Sequence, residues 1–146
     1  MNARDFLDLA MRLSNEDSEA DLRTSVSRAY YGAFHTAVQL LAELGVSLPA
    51  GPESHQKVRF CLMESGEPLG VAAGTQLHEL RTARNRADYD LVDTRYGVKM
   101  NALSEIHSAQ VVLRSLDLCR REPIRSRFRA KVRDYAANVL RLPVRE

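Results

Sequence analysis

Two stretches of this chain carry polar side chains at spacings that can do chemistry. In the first, Arg28, Tyr31 and His35 recur three and four residues apart, which on a helix puts neighbours within one turn of each other. In the second, His78, Arg81, Asn85 and Asp88 share one narrow sector of a helix, with Arg84 one turn before Asp88 and Tyr89 directly after it. An arginine offers phosphate a planar two-pronged donor, and an imidazole titrates near neutral pH. A helix that sets such groups beside its buried stripe presents them to a groove or to another chain, where they can hold an anion or move a proton. The same residues also have a purely architectural use, because Arg84 and Asp88 stand at the i, i+4 spacing of an ion pair and half-buried charges must be paired. Gly32 sits among them in mid-helix, where glycine costs about 1 kcal/mol relative to alanine. Its presence implies that a helix, a subunit or a ligand approaches closely there.

Other chemistries find little purchase. The four histidines, at 35, 55, 78 and 107, form no H-x-x-x-H or E-x-x-H pattern, so no metal site and no cofactor are expected. There is no glycine-rich phosphate loop and no G-x-S-x-G elbow. Cys61 and Cys119 lie 58 positions apart without a C-x-x-C pair and read as small buried apolar residues. No apolar run approaches the roughly 18 to 20 residues that a bilayer requires, and the N-terminus has no signal-peptide core, so a cytoplasmic protein without membrane contact is expected.

The elements that must position these residues are all helical. With 146 residues, 45% hydrophobic, and no alternating β-branched run, the chain reads as one all-α, up-and-down bundle of four to five helices with an extra C-terminal amphipathic helix. Helices are predicted over about 3–13, 17–44, 54–64, 72–89, 96–121 and 124–140. On the second, Leu22, Val26, Tyr30, Ala33, Ala37, Leu41 and Leu44 recur at threes and fours as a core-facing stripe, and Gly45 closes it. On the fourth the stripe is Leu77, Leu80, Ala83 and Ala87, and on the fifth Ala102, Ile106, Ala109, Leu113 and Leu116. The organisation expected is a bundle over 1–122 and a basic helical extension over 123–146.

Two motifs give this pattern a likeness. The segment Ser27-Arg28-Ala29-Tyr30-Tyr31-Gly32-Ala33-Phe34-His35, followed on a later helix by Leu80-Arg81-Thr82-Ala83-Arg84-Asn85-Arg86-Ala87-Asp88-Tyr89, resembles the HEPN superfamily. It is most similar to the branch with YYA-x-FH and R-x-x-ADY signatures. The resemblance covers roughly residues 5 to 120. It implies a helical bundle, a homodimer with both copies' polar motifs facing one cleft, and RNA or nucleotide as ligand. Many members are metal-independent ribonucleases acting as toxins beside a nucleotidyltransferase-type antitoxin, and others bind without cutting. Carried onto this chain, the resemblance makes Arg84, Asn85, Asp88 and His35 the catalytic candidates and Arg28, Tyr31, Arg81 and Tyr89 the ligand contacts. The chain departs from the catalytic pattern of an arginine, four to six intervening residues and then a histidine. After Arg84 that window holds Tyr89, Asp90 and Leu91, and after Arg81 it holds Arg86, Ala87 and Asp88. A second reading is therefore a catalytically silent module that docks on a nucleotidyltransferase or another partner.

Charge is unevenly spread. Residues 1–22 hold two arginines against six acids, while residues 120–133 hold six arginines and one lysine against one acid, within a chain of net charge +2. The C-terminal helix is expected to be apolar on one side and basic on the other. Its basic side either binds polyanions or is a solvated face whose apolar stripe packs on the acidic N-terminal helices.

Overall fold

A computed structural model describes all residues, Met1–Glu146. The fold is all-α. Six helices follow in order, α1 (Arg4–Leu13), α2 (Glu19–Glu43), α3 (Glu53–Met63), α4 (Pro68–Tyr89), α5 (Lys99–Cys119) and α6 (Ile124–Asn138), with a short 3-10 turn at Arg95–Gly97 before α5. The only β-type pairing is an isolated antiparallel bridge between Val46 and Val144. No helix is long and apolar enough to cross a membrane. The chain divides into two compact units, one formed by Met1–His35 with Gln76–Val111 and the other by Thr36–Thr75 with Val112–Glu146.

The helix boundaries have local causes. At the start of α2 the Ser18 hydroxyl accepts the Asp21 amide at 3.4 Å, and Glu19 and Asp21 place acid in the first turn, where the helix dipole favours it. Its end is a Schellman turn: the Val46 amide donates to Leu41 and the Gly45 amide to Ala42, with Gly45 at φ 92°. A Cβ on Gly45 would overlap the Arg133 guanidinium and the Arg145 carbonyl. α4 begins at Pro68, four residues before the alternation of apolar residues suggests, because proline at the first helical position forfeits no hydrogen bond. The expected helix over 96–121 is broken instead at Val98, which is extended. The break is held from both sides, since buried Tyr96 donates its hydroxyl to Glu105 at 3.2 Å and Asn101 Nδ2 donates to the Arg95 carbonyl at 2.9 Å.

In the first unit the core gathers Leu22, Val26, Ala83, Ala87, Tyr96 and Ala102. Every stripe residue expected on the second, fourth and fifth helices is buried. In the second unit α6 buries Phe128, Val132 and Ala136. This stripe packs within its unit on α3, and Phe128 also lies against Gly70 of α4. The charges of α6 are not opposite the stripe. At 100° per residue, Arg125, Arg129 and Arg133 continue the arc of Phe128, Val132 and Ala136 on one side, Arg127 and Lys131 border it on the other, and the outermost face is Ser126, Ala130 and Asp134. Cys61 and Cys119 are free and buried, and burial pushes their thiols up to about 12 and about 11.

Candidate functional site

The first unit brings most of the chemically interesting residues together where α2 passes α4, with α1 alongside. Both helices present these residues from the edge of their buried stripes. Tyr30 and Ala33 carry α2 into the core while Arg28, Tyr31 and His35 stand half-exposed beside them. Ala83 and Ala87 do the same for α4, leaving Arg84 and Asp88 at the margin.

Tyr31 is the hub. The Arg28 guanidinium stands over its ring at 5.0 Å and the Arg84 guanidinium at 5.2 Å. Arg84 also lies over the Tyr89 ring at 5.4 Å and donates to Asn85 Oδ1 at 3.0 Å. Its Nε is 3.0 Å from Asp88 Oδ2, close enough for an ion pair, although the N–H does not point along that line. Asp88 Oδ2 also accepts the Ser27 hydroxyl at 3.1 Å, and Ser27 Oγ accepts Arg28 Nη2 at 3.2 Å. A chain of contacts therefore runs Arg28, Ser27, Asp88, Arg84, across two helices. Asp88 is thus engaged on both sides, by Arg84 and by Ser27.

Electrostatics sharpen this. Two guanidiniums share one ring while only Arg84 reaches the single carboxylate, so the cluster carries an uncompensated positive charge, and Arg28 Nε is buried without a hydrogen-bond partner. Cations over an aromatic face are stabilised by its quadrupole, but two of them also repel, and an anion between them would relieve that repulsion. His35 stacks on Phe6 at 5.5 Å and on Tyr31 at 6.0 Å. Burial, followed by the nearby Arg28 charge, holds its pKa below the ordinary value of 6.5, so the imidazole is neutral at pH 7.

Arg81 has a different neighbour. Its charge, with that of Arg84, bears on the buried Tyr30 hydroxyl, whose pKa burial raises well above the usual phenol range. Gly32 is explained within the chain: a Cβ there would meet Leu7 N at 3.2 Å and Leu7 Cβ at 3.3 Å, so the close approach implied by the glycine is made by α1, not by a second subunit or a ligand. That contact also delivers Phe6, which stacks on His35 and lies under the Arg28 guanidinium.

The residue that sequence reading missed altogether is Arg23. It is buried, pairs with Glu19 at 3.0 Å, and donates to the carbonyls of Ala87 and Asp90 at 2.9 Å each, of Arg86 at 3.4 Å, and of Asp93. These are carbonyls at and just after the C-terminus of α4, which a helix leaves unsatisfied. Arg23 thus fixes the end of α4 that carries Asp88 and Tyr89. No pattern of residue types announces it, because all its long-range partners are backbone atoms.

Compared with known proteins, the chain matches no protein-family model, and no similar curated protein or solved structure is found.

Proposed function

We propose that the arginine and tyrosine cluster of the first unit binds RNA or a nucleotide, in a HEPN-type helical protein that acts as a homodimer. The observation that carries this reading is the excess positive charge of Arg28 and Arg84 over a single ring, with one carboxylate between them. A phosphate supplies the missing charge, and Tyr89, 72% exposed beside Arg84, supplies a face on which a base can stack. RNA affinity measured by fluorescence anisotropy should fall about tenfold or more in Arg84→Ala while melting temperature changes little. Equal affinity in a folded Arg84→Ala protein overturns the reading.

His35 extends the proposal to metal-independent cleavage, as a toxin-type endoribonuclease of a toxin and antitoxin pair would perform it. A neutral imidazole can accept the 2′-hydroxyl proton, with Arg84 as the phosphorane cation. RNA cleavage in EDTA should then drop by about 100-fold or more in Arg84→Ala and in His35→Ala. Absence of cleavage by the wild type across varied RNAs leaves the binding function alone.

One observation favours the alternative of a docking module. Leu91 and Val92, two and three residues after Tyr89, are 77% and 89% exposed. Such side chains at the tip of the α4 to α5 connection suit burial by a second copy or by a nucleotidyltransferase-type partner. Sedimentation separates these: a mass about twice the 16.4 kDa chain supports the homodimer, and a monomer that shifts only with a partner supports the module.

A further inference from the structure

Away from the cluster, α1 and α5 enclose a groove of about 500 Å³ within the first unit. Each helix lines it with one complete face at the same spacing. From α1 and its continuation come Asp8, Met11, Arg12 and Asn15, with Ser14 beside them, and from α5 come Leu103, Ile106, His107 and Gln110. Both sets run i, i+3, i+4, i+7, so the walls are two regular helical faces set apart, not a gap left by one misfitting side chain. Two contacts show that the helices run antiparallel here: Gln110 Nε2 reaches Met11 Sδ at 3.7 Å near one end, and Lys99 Nζ reaches the Asn15 carbonyl at 3.2 Å at the other. His107 and Arg12 fall between these contacts, from opposite walls.

The groove sorts its chemistry along its length. Ile106, 4% exposed, forms an apolar floor, and Met11 and Leu103, 43% and 39% exposed, form walls that remain open to solvent. Arg12 makes no ion pair in the fold, although Asp8 stands one turn away on the same helix. From these observations we infer that the groove between α1 and α5 is a binding site for a small organic carboxylate with an apolar body. The carboxylate is held by the Arg12 fork with His107 facing it, and the body lies on Met11, Leu103 and Ile106. Asp8, toward the Gln110 end, repels a second anionic group and so restricts the ligand to one acid function. A space of this size takes a molecule of about 10 to 20 non-hydrogen atoms. The site is independent of the proposed RNA function.

The test uses the full chain and three matched probes, 3-phenylpropionate, 3-phenylpropanol and 3-phenylpropylamine, followed by shifts of backbone amide resonances. The carboxylate should shift residues 8–15 and 103–110 saturably, with the alcohol and the amine about tenfold weaker or worse. Arg12→Gln should weaken the carboxylate about tenfold, and Leu103→Trp, which fills the groove from an open wall, should abolish binding by all three. RNA affinity of Arg12→Gln should stay at the wild-type value, so that failure here is distinguishable from failure of the cluster. No saturable shift up to about 10 mM, equal binding of the three probes, or unchanged binding in folded Arg12→Gln and Leu103→Trp proteins overturns the inference.

Discussion

Two groups of arginines, one in each unit of this protein, do opposite work. In the second unit Arg120, Arg127 and Arg133 close on oxygen. Arg120 reaches Glu43 at 2.9 Å and Asp117 at 2.7 Å, Arg127 lies 3.6 Å from Glu67, and Arg133 donates to the Leu44 carbonyl at 2.9 Å. Arg120 and Arg133 thereby set positive charge against the C-terminal turn of α2, where the helix dipole and the unsatisfied carbonyls favour cations. In the first unit, Arg28 and Arg84 lie over aromatic rings, and only Arg84 reaches a carboxylate. The basic end of the chain looked from composition like the place for a polyanion. What distinguishes a structural arginine from one available to a ligand is its partner, and by that measure the smaller charge excess around Tyr31 is the better candidate.

Removing residues 123–146 is the most disruptive way to challenge this contrast. The truncation strips Phe128 and Val132 from the core of the second unit and takes Arg133 from the end of α2. Each large apolar side chain lost from burial costs about 1.5–3 kcal/mol, and small domains hold only about 5–15 kcal/mol in all. The truncated protein should therefore lose its cooperative unfolding transition by circular dichroism. If it stays folded and instead loses RNA affinity with a flatter salt slope, the basic helix is the polyanion site and the contrast is reversed.

Within the first unit the comparison sharpens between Arg23 and Arg84. Arg23→Met keeps the apolar stem but orphans the carbonyls of Ala87 and Asp90, among others, at the end of α4. The expected loss is about 3 kcal/mol in urea unfolding, set by stranded buried acceptors. Arg84→Ala removes an ion pair at the protein margin and should cost about 1 kcal/mol or less. Equal costs for the two substitutions would mean that Arg84 is as structural as Arg23.

The helices and their buried faces were legible because burial recurs every three or four residues, as the stripe from Leu22 to Leu44 and that from Ala102 to Leu116 illustrate. The pairing of Arg84 with Asp88 was legible from i, i+4 spacing. Arg23 was not, since it sits beside Leu22 at the border of a stripe and its partners are main-chain carbonyls more than 60 positions away. The position of the α6 charges was accessible in principle: the same 100° rotation that aligns Phe128, Val132 and Ala136 places Arg125 and Arg129 in their arc. The partner of Gly32 was not, because a glycine records that something comes close without recording what.

The smallest effect expected is also the most local. His35 is held below its ordinary pKa of 6.5 first by burial and then by the Arg28 charge. Above pH 6.5 the ring is neutral in both folded and unfolded chains, so its contribution to stability is fully present. As pH falls, the unfolded chain takes up the proton before the folded one does, and stability drops until the folded ring is protonated too. Urea midpoints should accordingly decline from pH 7.5 to pH 5, and decline less in His35→Gln. A nuclear magnetic resonance titration of the ring protons reads the same group directly. In Arg28→Gln the His35 midpoint should move upward yet remain below 6.5, because the charge is removed while the burial persists. The same shift would enter any cleavage assay, since a proton acceptor with a lowered pKa gives a rate that rises with pH and levels off before neutrality. A midpoint indifferent to Arg28→Gln would show that Arg28 does not act on the imidazole, and would dissociate the histidine from the arginine pair over Tyr31.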